Sequence, residues 1–310
     1  MKKYAVGKNE SGQRMDRFLS RILTNASWAE IQKLFRKKVF KRNGQRHVKP
    51  GDYVECGDTI EIFLSDDALT SLGCTDREHN EKRTMTPSSS GSLPKEIPLI
   101  YEDEDYFVVS KPSGMLIHSD TAHAEDDLTS VVRRVLSGYS DRFFAPATAS
   151  RLDRGTSGIV VYAKNYQSLK KMNEEMRARR IERVYRCIVE GSLEGRGQIS
   201  LNLHKNKSVN KVFAEDENAE NGKSARTFYQ ANRVFGEGRF TLVTAVLDTG
   251  RSHQIRVSMA KLGHPIVGDV KYGSSFKRKA PLLHCAKVTM CGMHFESDSN
   301  EIDDFIRMYQ

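Results

Sequence analysis

Cysteines are few in this chain and show no pattern. Only five occur in 310 residues, at Cys56, Cys74, Cys187, Cys285 and Cys291, an odd number with no CxxC pair. That spacing argues against a disulfide framework and against a thiolate zinc cluster, and His284 beside Cys285 reads as part of a packed strand because companion ligands are missing. Long apolar runs are also missing, so no membrane span is expected. Met1-Lys2-Lys3-Tyr4 leads into Gly7-Lys8-Asn9-Glu10 instead of an apolar stretch, so no secretory leader is expected and the cytoplasm is the expected location. A nicotinamide site would need a glycine-rich turn between a strand and an acidic follower, and none is found.

The chain is polar and basic. Apolar residues make up 38% and charged residues 29%, with a mean hydropathy of -0.56, as in a soluble protein. At 310 residues it exceeds the size at which one core keeps growing, so two unequal domains are expected. The net charge of +9 is unevenly placed: Met1 to Leu64 holds 14 Lys and Arg against 7 Asp and Glu, and the remainder is nearly balanced. Such a concentration suits contact with a phosphate backbone, although a solvated face accounts for it equally well.

Local patterns divide the chain. Met15, Phe18, Leu19, Ile22 and Leu23 recur at helical spacing, and Ser27 with Glu30 forms a capping-box pattern before Ile31, Leu34 and Phe35. The second helix carries Lys33, Arg36 and Lys37 as a compact basic stripe. Asn43-Gly44, Pro50-Gly51-Asp52 and the run Thr59 to Leu64 predict short strands and turns, so residues 1–64 form one small unit. Residues 65–97 are polar and broken by Pro87 and a serine cluster, which predicts a flexible linker. From residue 98 onward many short strands alternate with few helices. The apolar spacing predicts strands over Ile159–Ala163 and Val184–Val189 and helices around Leu128–Leu136 and Leu169–Met176. This describes an α+β domain on an antiparallel or mixed sheet.

Two loops carry chemical potential. In Ser150-Arg151-Leu152-Asp153-Arg154-Gly155-Thr156-Ser157-Gly158, Asp153 sits between two arginines that favour its ionised form, and Gly155 and Gly158 allow tight turns. A buried structural salt bridge and a catalytic carboxylate are both open readings on that evidence. Thr249-Gly250-Arg251-Ser252-His253-Gln254-Ile255-Arg256 is expected as a loop after a strand, with fork-shaped donors suited to phosphate or carboxylate. A hydrolytic nucleosidase or glycosidase ordinarily needs paired carboxylates, and only Asp153 stands out.

In order along the chain, these motifs resemble those of the RluA-type pseudouridine synthases, from about Pro98 to the C-terminus. Arg151-Leu152-Asp153 through Thr156-Ser157-Gly158 and Ala163-Lys164 match the hallmark of that family, and Gly250 to Arg256 matches a later motif. Val184 to Gly191 is similar to its tyrosine strand, Leu282-Leu283-His284-Cys285-Ala286 to its Leu-Leu-His-Ala element, and Lys111-Pro112-Ser113-Gly114 to its early Lys-Pro-x-Gly loop. Ser150 stands where many relatives carry His.

The resemblance implies the pseudouridine synthase fold, a catalytic domain over 98–310, and isomerisation of RNA uridine to pseudouridine without cofactor or metal. It implies Asp153 as the reactive carboxylate, attacking the anomeric carbon or removing the neighbouring ribose proton, with Arg256 as the partner that keeps it deprotonated. Tyr185 would stack on uracil and help to remove the proton from carbon five, and Arg151 would fill the space of a flipped base or hold the displaced backbone. Arg154, Arg251 and Gln254 are counted as substrate-binding, with Gln254 and His253 also orienting their loop, and Ile255 and Leu283 as the apolar wall.

Residues 1–64 separately resemble the alpha-L RNA-binding domain through Arg14 to Leu19, Ile31 to Phe35, Val39 with Asn43-Gly44, and Gly57 to Ile60. Lys33, Arg36 and Lys37 would then bind RNA. The pairing of the two domains implies action on structured RNA, most of all large-subunit ribosomal RNA, and a monomer is expected. Transfer RNA is the alternative substrate, and a non-catalytic ribosome-associated factor the alternative class.

Overall fold

The computed structural model describes residues 1–7, 10–74, 93–119, 127–139, 144–206, 211–215 and 222–310. They divide into two units, one of Met1–Gly91, Arg133–Ala147 and Ala163–Lys170, the other of Ser92–Val132, Thr148–Tyr162 and Lys171–Gln310.

In the first unit, strands β1 (Lys2–Ala5), β2 (Phe40–Arg42) and β3 (Thr59–Ile62) form an antiparallel sheet in the order β1-β3-β2. Helices α1 (Met15–Ile22) and α2 (Trp28–Arg36) share a core with it through Phe18, Leu19, Ile22, Ile31, Phe40, Ile60 and Ile62. The capping box is present: Ser27 Oγ accepts from the Glu30 N–H, and Glu30 Oε2 accepts from the Ser27 N–H at 2.7 Å, together worth ~1 kcal/mol. Asn43 and Gly44 are left-handed, with φ of 52° and 79°, as the turn after β2 requires. Lys33, Arg36 and Lys37 are exposed.

Part of the span expected as linker is ordered. Ser65 caps a further helix, α3 (Asp66–Ser71), and Leu69 and Cys74 are buried in the core of the first unit. One leucine on the inward face anchors this short helix, a signal that the polar composition around it hides. The remainder of that span up to residue 92, with its serine cluster, lies outside the described residues.

Among the described residues the larger sheet has ten strands. It comprises β4 (Leu99–Glu102), β5 (Tyr106–Lys111), β6 (Ser157–Ala163), β7 (Glu182–Glu190), β8 (Arg196–Asn206), β9 (Lys211–Glu215), β10 (Lys223–Phe235), β11 (Phe240–Leu247), β12 (Leu283–Met290) and β13 (Met293–Glu296). Their order is β4-β5-β6-β12-β7-β11-β10-β8-β9, with β13 on β12. The β6–β12 pair is parallel, whereas β12–β7, β7–β11, β11–β10, β10–β8 and β8–β9 are antiparallel, so the sheet is mixed and largely antiparallel. Ile159 to Ala163 is at most 1% exposed, which explains an apolar run instead of alternation: β6 is covered on both faces.

Helices α4 (Leu128–Val135) and α5 (Tyr166–Arg177) fall where the apolar spacing predicts them. Two more helices anchor the sheet. Val257 of α6 (Gln254–Lys261) packs on Leu201, Leu203, Val212 and Ala225, and Ile302, Phe305 and Ile306 of α7 (Asn300–Tyr309) pack on Ile188, Phe240 and Val267. Among the described residues no helix is long and apolar enough to cross a membrane.

Candidate active site

The sheet register gathers the site. Cys285 of β12 lies opposite Gly158 of β6 on one side and Tyr185 of β7 on the other, so the Asp153 loop, the start of β12 and Tyr185 meet at one place. Gly158 is required there: its φ is 113°, and a Cβ would stand 2.6 Å from the Cys285 nitrogen.

The Asp153 loop is laced to the Lys111–Met115 loop. Lys111 Nζ, 1% exposed at the residue level, donates to the carbonyls of Pro112 at 3.0 Å, Met115 at 2.8 Å and Arg154 at 3.2 Å. The Gly114 N–H donates to Arg154 O at 2.9 Å, and Ser113 Oγ to Gly155 O at 3.0 Å. Burial pushes the Lys111 ammonium down to about 7, against the opposing charge of Asp153.

Arg256, the cation expected beside Asp153, is held mainly by another carboxylate. Arg256 Nη1 lies 3.7 Å from Asp153 Oδ2, while Nε and Nη2 each donate to Asp269 at 2.7 Å in a bidentate fork. Burial works against the Arg256 charge, and the Asp269 hydrogen bonds more than offset it. Tyr272 presents its ring to the guanidinium, 5.0 Å from centroid to carbon.

His253 completes the constellation. Left-handed at φ 55°, it opens α6, with Nε2 4.0 Å from Asp153 Oδ2 and Nδ1 2.7 Å from Tyr272 Oη. Tyr272 Oη also accepts from the Val212 N–H at 3.0 Å, and burial raises its phenol above the usual value. Burial lowers His253, against the opposing charge of Asp153, which keeps the ring neutral at neutral pH. Burial likewise pushes the Tyr185 phenol well above its usual range, so it meets a substrate in its neutral form.

A carboxylate in a pocket with an arginine, a neutral histidine and a buried tyrosine, walled by Ile255 and Leu283, suits sugar chemistry beside a planar base. Residues 105–261 match the profile of the RNA pseudouridylate synthase family. The chain belongs to this family. A pseudouridine synthase of Chlorobaculum parvum is 32% identical over 286 residues, 89% of this chain and 80% of that one. The ribosomal large subunit pseudouridine synthase D of Borreliella burgdorferi is 28% identical over 288 residues, covering 90% and 82%. The human RNA pseudouridylate synthase domain containing 1 has the same fold, with a TM-score of 0.58 at 22% identity over 72% of this chain and 91% of that one. The protein is therefore an isomerase that acts on RNA.

Within this pseudouridine synthase, Asp153, Tyr185, Arg256, Arg151, Arg251, Gln254, Ile255 and Leu283 all line the one pocket. Three local expectations change. Arg154 turns away, donating from Nε to Gly114 O at 2.9 Å, so the neighbouring arginine does not face Asp153. Gln254 is 2% exposed: Oε1 accepts from Thr249 Oγ1 at 2.8 Å and from the Arg251 N–H at 3.0 Å, and Nε2 donates to Arg226 O at 2.9 Å and Thr227 Oγ1 at 3.0 Å. With its amide filled it shapes the loop instead of offering donors to RNA. Gln254 and Arg256 also lie on the first turn of α6, not in a loop, because Ile255, Val257 and Met259 are buried.

Lys33 and Arg36 sit on α2 of the first unit, and Lys37 is its C-cap. Residue patterns missed Asp269, Tyr272 and Arg183. Gly268-Asp269 followed by Tyr272-Gly273 was a visible punctuation, since a turn binds Asp269 N–H to Ile266 O and Tyr272 N–H to Asp269 O.

Proposed function

We propose that this enzyme converts specific uridines of large-subunit ribosomal RNA to pseudouridine, with residues 1–64, extended through Cys74, as a basic RNA-binding domain of the alpha-L type. The observation that carries the catalytic part is Asp153 at 3.7 Å from Arg256 in a pocket that also holds Tyr185. Support for the substrate comes from the relatives of Borreliella burgdorferi, Xylella fastidiosa and Yersinia pestis, each named a ribosomal large subunit pseudouridine synthase D. It also comes from the excess of seven positive charges in the first 64 residues.

The target uridine is flipped into the pocket, since its anomeric carbon is inaccessible within a helix. An Asp153 oxygen attacks that carbon or takes the 2′ proton. In either route the bond to nitrogen one breaks, and its electron pair leaves with the uracil. The base turns between Tyr185 and the Ile255–Leu283 wall. Carbon five then bonds to the anomeric carbon, displacing the Asp153 oxygen or, in the glycal route, adding to the double bond as Asp153 returns the 2′ proton. Loss of the proton from carbon five restores the ring's double bond between carbons five and six, and nitrogen one ends protonated. Tyr185 takes part as a neutral phenol, so any proton it accepts must be matched by one passed on. Arg256, braced by Asp269, holds the Asp153 carboxylate in place. Arg151 is exposed at the mouth and serves the displaced strand.

Asp153→Asn preserves size while removing the charge. Under single-turnover conditions, tritium release from carbon five should fall by at least the ~10²- to 10⁴-fold typical of such groups, with folding and RNA binding retained. Release at the wild-type rate would make Asp153 structural. Mapping pseudouridine in total RNA of a strain lacking the protein tests the substrate: sites lost from large-subunit ribosomal RNA support the reading, and sites lost only from transfer RNA overturn it.

A further inference from the structure

Arg183 has no part in the chemistry above, yet it lines the Asp153 pocket. It precedes Tyr185 by two residues on β7, so strand alternation sets both on one face of the sheet. Its Nε is buried without a hydrogen-bond partner, and among the described residues Arg183 forms no ion pair. A Cβ on Gly250 would stand 3.2 Å from Nη2 and 3.5 Å from Nη1, so the guanidinium packs close against the Gly250 backbone. An unpaired fork held in place at a pocket wall is a poor way to stabilise a fold, because its desolvation is not repaid. It is a good way to receive an anion.

Arg183 also lines a second cavity that adjoins the first. This groove, of about 510 Å³, is bordered by Arg151, Arg177, Arg179, Arg251 and the 40% exposed ring of Phe228. Among the described residues Glu182 and Asp248 are the only carboxylates that line it, and Asp248 is engaged by Arg179 at 3.5 Å and by Arg226 at 3.8 Å. Arg177 donates from Nε to Asn173 O at 3.2 Å, a carbonyl that leaves its charge uncompensated. Clustered guanidinium groups beside an exposed aromatic ring suit single-stranded nucleic acid, in which phosphates take the forks and a base takes the ring.

We propose that this groove is the path of the single-stranded RNA flanking the flipped uridine, with Arg183 on the phosphodiester at the pocket mouth and Phe228 under a neighbouring base. The assignment rests on the pseudouridylation reading for the occupant of the Asp153 pocket. Arg183 is thus a binding residue that ties the strand to the site, and it takes no proton.

The test uses the full chain with two probes: a fluorescein-labelled 12-residue oligouridylate for affinity, and an in vitro transcript of large-subunit ribosomal RNA carrying tritium at carbon five of uridine for single-turnover rate. Arg183→Met keeps the length and fills the space. It should weaken oligouridylate binding about tenfold and lower the slope of log Kd against log salt by ~0.7, the share of one single-strand phosphate. At subsaturating transcript the single-turnover rate should fall by about the same factor as the affinity. Phe228→Ala, at an exposed position, should weaken binding without changing the salt slope. An oligouridylate with methylphosphonate linkages should bind wild type and Arg183→Met alike.

Unchanged affinity and slope in a folded Arg183→Met protein would overturn the proposal. So would a rate collapse at unchanged affinity, which would place Arg183 on the uracil. If Arg183→Met does not fold, the wild-type comparison of phosphodiester with methylphosphonate probe, alone and with Arg177→Ala, decides the matter. A wild-type protein that binds oligouridylate through Arg183 but releases no tritium from any RNA would sink the pseudouridylation reading and leave the groove standing.

Discussion

Arg256 and Asp269 form a bidentate pair with both hydrogen bonds at 2.7 Å, on side chains 11% and 1% exposed, and this pair aims the remaining Arg256 nitrogen at Asp153. The placement of the Asp153 carboxylate against Arg256 therefore depends on a second carboxylate 116 positions further along the chain.

Asp269→Asn should expose that dependence. The amide keeps one acceptor but loses the charge, which removes ~1.5–3 kcal/mol of charge-assisted hydrogen bonding. Denaturant unfolding should register a loss of that size. Single-turnover tritium release should fall roughly tenfold or more, since a misplaced Arg256 no longer positions Asp153, while RNA affinity is kept. A variant that loses stability without losing rate would separate the brace from the chemistry.

Lys111 predicts a pH dependence. Its folded value of about 7 lies below the ordinary lysine value of 10.5, so between the two the unfolded chain binds more protons. The Lys111 contribution to stability therefore rises with pH across that window, and the penalty of burying the ammonium is fully present below about 7. Lys111→Met removes the titration. Unfolding free energies of wild type minus Lys111→Met should climb by up to ~1.4 kcal/mol per pH unit above pH 7. A flat difference between pH 7 and 9 would contradict it.

Gly158→Ala should be among the most damaging small changes in the chain. Its φ of 113° and the 2.6 Å approach of a Cβ to the Cys285 nitrogen force β6 and β12 apart, and Asp153 and Tyr185 with them. A loss of at least ~2 kcal/mol in unfolding free energy is expected, with activity falling in step. Wild-type stability would show that the strands yield at no cost.

Replacing Lys33, Arg36 and Lys37 together by alanine should weaken binding to a structured RNA hairpin and lower its salt slope by up to ~3, without changing thermal stability, because all three are exposed at the C-terminal end of α2 and its cap. Fluorescence anisotropy over a salt series measures both quantities. An unchanged slope would mean that the basic stripe faces only water.

Much of the fold was legible because its signals are local. Ser27 and Glu30 cap α2 as their spacing predicts, Asn43-Gly44 turns where it should, and the apolar run from Ile159 to Ala163 is the buried strand it resembles. Where one distant contact outweighs local composition, the signal fails. Leu69 draws α3 into a core that its polar neighbours would not suggest, and Ile255, Val257 and Met259 carry Arg256 into a helix instead of a loop.

By itself the amino-acid sequence determined which chemistry is present. The Asp153 loop, the Tyr185 strand and the Arg251–Arg256 segment are short contiguous motifs, and their residue types and order suffice to mark the family. Only the tertiary structure decided what each charge faces. Arg154 adjoins Asp153 in the chain and binds Gly114 O instead, whereas Arg256, far along the chain, reaches Asp153 and is held there by Asp269. The physical reason is the direction and depth of burial: a guanidinium turns to whichever acceptors the fold brings within hydrogen-bond reach, and desolvation makes that choice costly to reverse.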